Sequence, residues 1–147
     1  MRHHLERRLP YAPQQLFALV GDVERYPEFV PWVVSLRAWG RREEEPGVAV
    51  LDAEAEVRFT VVHERFSTRV RLDEPALTIA VSLLHGPFRR LENRWRFAEL
   101  PGGSTLTFDI DFEFKSRLLD RLLVANFHRA ASRLVGCFEA RAKALYG

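Results

Sequence analysis

The chain carries one cysteine, Cys137, so no disulfide can form within it and no cysteine-based metal cluster can be built. That usage suits a reducing compartment. Cys137 lies in an apolar, helix-like stretch, the setting of an inert buried thiol rather than of a nucleophile. The five histidines, His3, His4, His63, His85 and His128, are scattered without His-x-x-x-His spacing and predict no metal site. A glycine-rich phosphate loop and a Gly-x-Ser-x-Gly elbow are both missing, which removes common nucleotide and hydrolase chemistries. Apolar runs stay short, and none reaches the ~18 residues of a membrane-spanning helix. The basic start, Met1 to Arg8, leads into no apolar signal core, because Pro10 and Gln14-Gln15 interrupt it. The expected location is cytoplasmic, with contact at the inner face of the cell membrane left open.

What is present is a chain of 147 residues, 47% hydrophobic and 12% aromatic, enough for one sizeable core. It is expected to form one domain over 1–147. The segment Asp22-Val-Glu-Arg-Tyr-Pro-Glu-Phe-Val-Pro-Trp32 sets large apolar residues around Pro27 and Pro31, which forbid a continuous helix. It is either a plug in the core or a lid over an apolar cavity. Before it, Leu5 to Leu9 reads as a short strand, and Pro13 to Val20 as a short helix with proline in its first turn.

After Trp32, apolar residues alternate with polar ones. Leu51, Ala53, Ala55, Val57 and Phe59 share one face of a strand, as do Phe66, Thr68, Val70 and Leu72, and Leu106, Phe108, Ile110, Phe112 and Phe114. With the runs at 34–38, 77–83 and 91–97, this predicts six half-buried strands in an antiparallel meander. Asp109, Asp111 and Glu113 fall on the solvent side, and a turn over Pro101-Gly-Gly103 would set Arg96 and Arg94 opposite Asp109 and Asp111. Asn93 shares a face with Trp95, and His85 follows Leu83 in register. Such polar groups, with His128 beside Phe127, are either satisfied internally or available to a ligand oxygen. From Ser116 onward the step becomes three and four residues, predicting one long helix of about 29 residues, capped by Ser116 and softened at Gly136. A curved antiparallel sheet wrapped around a C-terminal helix, an α+β two-layer domain, is the simplest assembly.

Three segments, Asp22 to Trp32, Gly86-Pro-Phe-Arg-Arg-Leu-Glu-Asn-Arg-Trp-Arg-Phe97 and Phe112-Glu-Phe-Lys-Ser-Arg-Leu-Leu119, together with Phe138 to Gly147, resemble the coenzyme Q-binding family of START-like domains. That family belongs to the polyketide cyclase/dehydrase and lipid-transport superfamily. The chain is equally similar to the RatA ribosome association toxin family. The resemblance implies a START-like helix-grip fold with a cavity between sheet and helix for ubiquinone or a similar isoprenoid quinone. The quinone is held as a bound ligand, with no cofactor and no catalysis, in support of respiration. The ligand-binding candidates are Phe29, Val30 and Trp32, Phe88, Asn93 and Trp95, Phe112 and Phe114, and Leu123, Phe127 and Leu134. Core packing is the alternative role for the apolar ones. A third reading, a cyclase-type enzyme, has only Asn93, His85 and His128 to draw on.

The stretch from Arg117 to Lys143 carries six cations against Asp120 and Glu139, and Arg58, Arg65, Arg69 and Arg71 suggest a second basic face. Such charge suits an anionic membrane surface, and equally a ribosomal subunit, the partner that the RatA resemblance implies. DNA is not an expected partner.

Overall fold

The computed structural model describes residues 1–59 and 61–147. Alternating side chains build seven strands, β1 (Arg2–Leu9), β2 (Val33–Glu45), β3 (Val48–Phe59), β4 (Val62–Asp73), β5 (Thr78–His85), β6 (Phe88–Leu100) and β7 (Gly103–Phe114). They form one antiparallel sheet in the order β1-β7-β6-β5-β4-β3-β2, so β1 returns to pair with the last strand. Three helices complete the fold: α1 (Pro13–Gly21), α2 (Arg117–Val124) and α3 (Phe127–Tyr146). A 3-10 helix covers Val23–Glu28 with Pro27 inside it, and the chain turns through Phe29 to Trp32 before entering β2. The seven strands gripping a C-terminal helix are the predicted α+β helix-grip arrangement.

Inward-facing side chains of the sheet meet α1 and α3 in the main core, where Val20, Leu106 and Val135 are fully enclosed and Phe138 is 1% exposed. A second, smaller cluster, Phe88, Leu91, Phe112 and Phe114, lies toward the end of the sheet where β7 runs into α2. At that same end β3 turns into β4, β5 turns into β6, and β2 begins.

Three expectations are corrected. The long helix is two helices: at Asn126 (φ −117°, ψ 5°) the backbone leaves the helical region, and α3 then runs unbroken through Gly136. Asparagine competes for backbone hydrogen bonds and disfavours a helix interior. The break also lets Leu119 and Leu123 of α2 pack on the second cluster while α3 crosses the main core. Ser116 caps α2 as predicted, its Oγ accepting from Leu119 N at 3.3 Å. The β6–β7 turn is tighter than expected, because Leu100 already pairs with Gly103. Arg94 therefore sits opposite Asp109, and Glu92 opposite Asp111; Arg96 reaches Asp109 only diagonally, at 3.4 Å, while Arg90 holds Asp111 and Glu113. Gly103 is required there, since a Cβ would lie 2.1 Å from the Leu9 carbonyl oxygen. Finally, β1 starts at Arg2 rather than Leu5, which brings His3 into the sheet.

Candidate ligand-binding site

The proline-bracketed segment is tied down at both ends. The Tyr26 hydroxyl donates to the Val20 carbonyl, and Arg58 N donates to the Trp32 carbonyl at 2.8 Å. Burial pushes the Tyr26 hydroxyl pKa upward, so it stays a donor. Val30 is fully enclosed, and Phe29 packs edge-on against Phe138 at 5.2 Å. Two cations of α3, two turns apart, cover the segment's rings: Arg133 lies 5.3 Å from Trp32 and Arg141 5.1 Å from Phe29. Arg141 also bonds Glu28 at 2.8 Å. Trp32 itself is half-buried, edge-on to Phe59 at 5.4 Å.

The other candidates divide between the two clusters. Trp95 is buried against Phe108 (4.3 Å) and Phe138 (5.0 Å), in the main core. Phe88 stacks on Phe114 at 4.6 Å, and Phe112 meets Phe127 at 4.3 Å. Leu123 and Leu134 are half-buried. The structure thus places Phe29 and Leu134 with Trp95 on one side, Phe88, Phe112, Phe114 and Leu123 on the other, and Phe127 against both; Val30 is buried outside either cluster.

Between the clusters, burial drops along one row. On β7, Phe108 and Phe112 are buried but Ile110 between them is not; on β6, Leu91 and Trp95 are buried but Asn93 is not. Val81 on β5, which pairs with Asn93, is also half-buried, and so are Phe127, Ala130 and Leu134 on α3. Apolar side chains in the middle of a sheet's inner face, beneath a helix, should be sealed in a solid core. Their partial exposure shows that this row is less completely covered than the clusters on either side, although Val81, Ile110, Phe127 and Leu134 still pack against the core. The depression of about 670 Å³ that touches this row also takes in the outward Arg2, His4, Glu92, Arg94, Asp109 and Asp111, so it is an open, charged surface unsuited to an apolar guest.

Two polar atoms in the row lack partners: Asn93 Oδ1 and His3 Nε2 are both buried without a hydrogen bond. Each costs on the order of 1–3 kcal/mol in a folded chain. His3 escaped the sequence reading, which began β1 at Leu5; the alternation His3, Leu5, Leu9 was its available signal. His85 is exposed rather than inward, because a bulge between Ser67 and Thr68 shifts the β4–β5 pairing. His128 is exposed too, though its ring lies 4.6 Å from that of His3.

His3 is held below its ordinary pKa, first by burial and then by repulsion from His128 and His4. The unfolded chain therefore takes up this proton more readily than the folded one. Stability that is complete above the ordinary value is lost as pH falls through it. His3→Leu is expected to lose less stability than the parent between about pH 7.5 and about pH 5.5. Urea unfolding at the two pH values checks this, and equal losses would refute it.

Charge is rearranged relative to expectation. Three of the four strand arginines are neutralised, with Arg65 on Glu54 and Glu56, Arg69 on Asp52, and Arg71 on Glu44 and Glu45, while the exposed Arg58 makes no ion pair among the described residues. On the helices, Arg141 pairs with Glu28, while Glu139 pairs with Arg7. Arg117, Arg121, Arg129, Arg133 and Lys143 make no ion pair among the described residues, so the basic face is that of α2 and α3. Cys137 is half-buried on the flank of α3, and burial pushes its thiol pKa up.

Known proteins resemble this one along its whole length. A Pseudomonas aeruginosa protein named Ribosome association toxin RatA is 36% identical over 150 residues, covering 100% of both chains. A Xenopus laevis protein named Coenzyme Q-binding protein COQ10 homolog B, mitochondrial, is 32% identical, covering 95% of this chain and 57% of its own. Among solved structures, an 18 kDa protein from Caulobacter crescentus superposes with a TM-score of 0.85 at 52% identity, covering 100% and 99% of the two chains. A START superfamily protein from Mycobacterium smegmatis, 20% identical, superposes at 0.82 over 98% of each and shares the fold. The family described as polyketide cyclase / dehydrase and lipid transport matches residues 9–139, from the end of β1 to well into α3, and so takes in most of both clusters and the row between them, though not His3. The chain, a curved antiparallel sheet closed over a C-terminal helix, belongs to that family.

Proposed function

We propose that this protein binds an isoprenoid quinone, or a similar hydrophobic lipid, between the sheet and α3, and carries it unaltered in support of respiration. The observation that carries this reading is the break in burial at Val81, Asn93 and Ile110, between two well-packed clusters. A space with apolar walls and few polar groups suits a long hydrophobic ligand. Phe112 and Phe127 would form its floor, with Leu134 on the α3 side and Phe88, Phe114 and Leu123 toward the mouth. The coenzyme Q-binding name of the Xenopus relative supports the same ligand class. Carriage without catalysis agrees with the names of the relatives, although the family also includes cyclases. Cyclase-type chemistry needs an acid and a base converging on the substrate, and His85 and His128 are both exposed.

Among the described residues, no helix is long and apolar enough to cross a membrane. Delivery would instead occur at an anionic membrane surface, which α2 suits: Leu118 is 68% exposed and Leu122 46%, among Lys115, Arg117 and Arg121. The second reading, a toxin that binds a ribosomal subunit and blocks subunit joining, is favoured by the name of the Pseudomonas relative and by the unpaired arginines of α2 and α3.

Solvent extraction of the purified protein, followed by mass spectrometry, is expected to release a quinone or lipid. A short-chain ubiquinone is also expected to raise the melting temperature. An empty extract together with an unmoved melting temperature would sink the carrier reading. Sucrose-gradient ribosome profiles with added protein test the rival, which fails if subunit joining is unaltered.

A further inference from the structure

Ile110 pairs with His3 on one side and with Asn93 on the other, so all three lie in one row across β1, β7 and β6. His3 and Asn93 stand two strand spacings apart, ~10 Å between backbones. Each carries a buried polar atom without a partner, while Ile110 between them is only half-buried. Folding alone gives no reason for two such atoms to flank one loosely covered isoleucine. We propose that this row is a head-group seat that takes a flat ring bearing carbonyl or hydroxyl oxygens on opposite edges, laid on Ile110 between His3 and Asn93.

The chemistry of the two side chains matches that ligand. An asparagine amide offers both donor and acceptor, and a neutral imidazole offers one of each, so the pair can serve a ring in its carbonyl or its hydroxyl form. Burial and the neighbouring histidines lower the pKa of His3, which favours its neutral form. Its ring is fixed edge-on between Phe127 at 5.8 Å and His128 at 4.6 Å. A simple fatty acyl chain or an isoprenoid hydrocarbon has nothing to offer two separated polar groups. The ligand class is therefore narrower than lipids in general, and this inference rests on the lipid-binding reading above.

The test titrates the full chain, Asn93→Leu, His3→Leu and His3→Gln with decylubiquinone, and with farnesene as the ringless control. Asn93→Leu and His3→Leu are each expected to weaken decylubiquinone by about tenfold, the scale of one lost hydrogen bond. Farnesene binding should not change, and His3→Gln should recover part of the loss. The unliganded leucine variants should melt at or above the parent temperature, because each loses an unpartnered polar group. Unchanged quinone affinity in both variants would overturn the seat and leave lipid binding standing. So would a lowered melting temperature with equal losses for both ligands, which would mark the pair as structural. If the parent chain binds neither ligand, the lipid-binding reading itself fails.

Discussion

Phe138→Ala is expected to remove about 4 kcal/mol of unfolding free energy, the upper part of the range for deleting an enclosed aromatic ring. Phe138 is 1% exposed and its ring is met edge-on by three others, Tyr26 at 5.1 Å, Phe29 at 5.2 Å and Trp95 at 5.0 Å. Those partners come from the 3-10 helix, the turn after it and the sheet, so the ring joins α3 to both layers at once. Trp95 leans on Phe108 and the Tyr26 hydroxyl is bonded to the Val20 carbonyl, which leaves the surroundings little freedom to collapse into the gap. For a chain of this length the melting temperature should fall by about 8–16 °C. Urea unfolding measures the free energy, and a loss below about 1 kcal/mol would mean that the site closes up after truncation.

Val81→Phe is expected to do the opposite to stability and the most to binding. In a filled core, the added ring would strain its neighbours by about 1–3 kcal/mol. Val81 faces the less covered row, opposite Asn93 and beside Val70, so the ring should be accommodated with the melting temperature nearly unchanged. It would then occupy the space proposed for the ligand, and quinone affinity should fall by about a hundredfold. Calorimetry against decylubiquinone, with thermal melts of the same samples, reads both quantities. A strongly destabilised variant with normal affinity would put the cavity elsewhere.

Much of the architecture was legible in period-two alternation, because a half-buried strand imposes that pattern on its own sequence. Leu106 to Phe114 is the plainest case: every second residue faces inward, as read. Features that depend on one residue more or less were not legible. The hairpin at Pro101 and Gly102 is one residue tighter than expected, and this moved the arginine partners of Asp109. A bulge at Ser67 and Thr68 turned His85 outward. The helix break at Asn126 was hidden because Leu119, Leu123 and Phe127 keep helical spacing on both sides of it. Of the candidate site, Asn93 was found from its place beside Trp95. His3 could not be matched with it, since the two are ninety residues apart and meet only through the return of β1 to β7.

The two-helix C-terminus has a kinetic side. No residue of α2 is buried, and eight residues are too few to hold a helix by backbone hydrogen bonds alone. Opening α2 would leave the main core and α3 intact, so it draws on only a small part of the molecule's stability. Amides of Arg117–Val124 should exchange with solvent hydrogen long before those of the central strands. On the carrier reading, a guest could then come and go at the pace of one fraying turn, without waiting for the sheet to let go of α3.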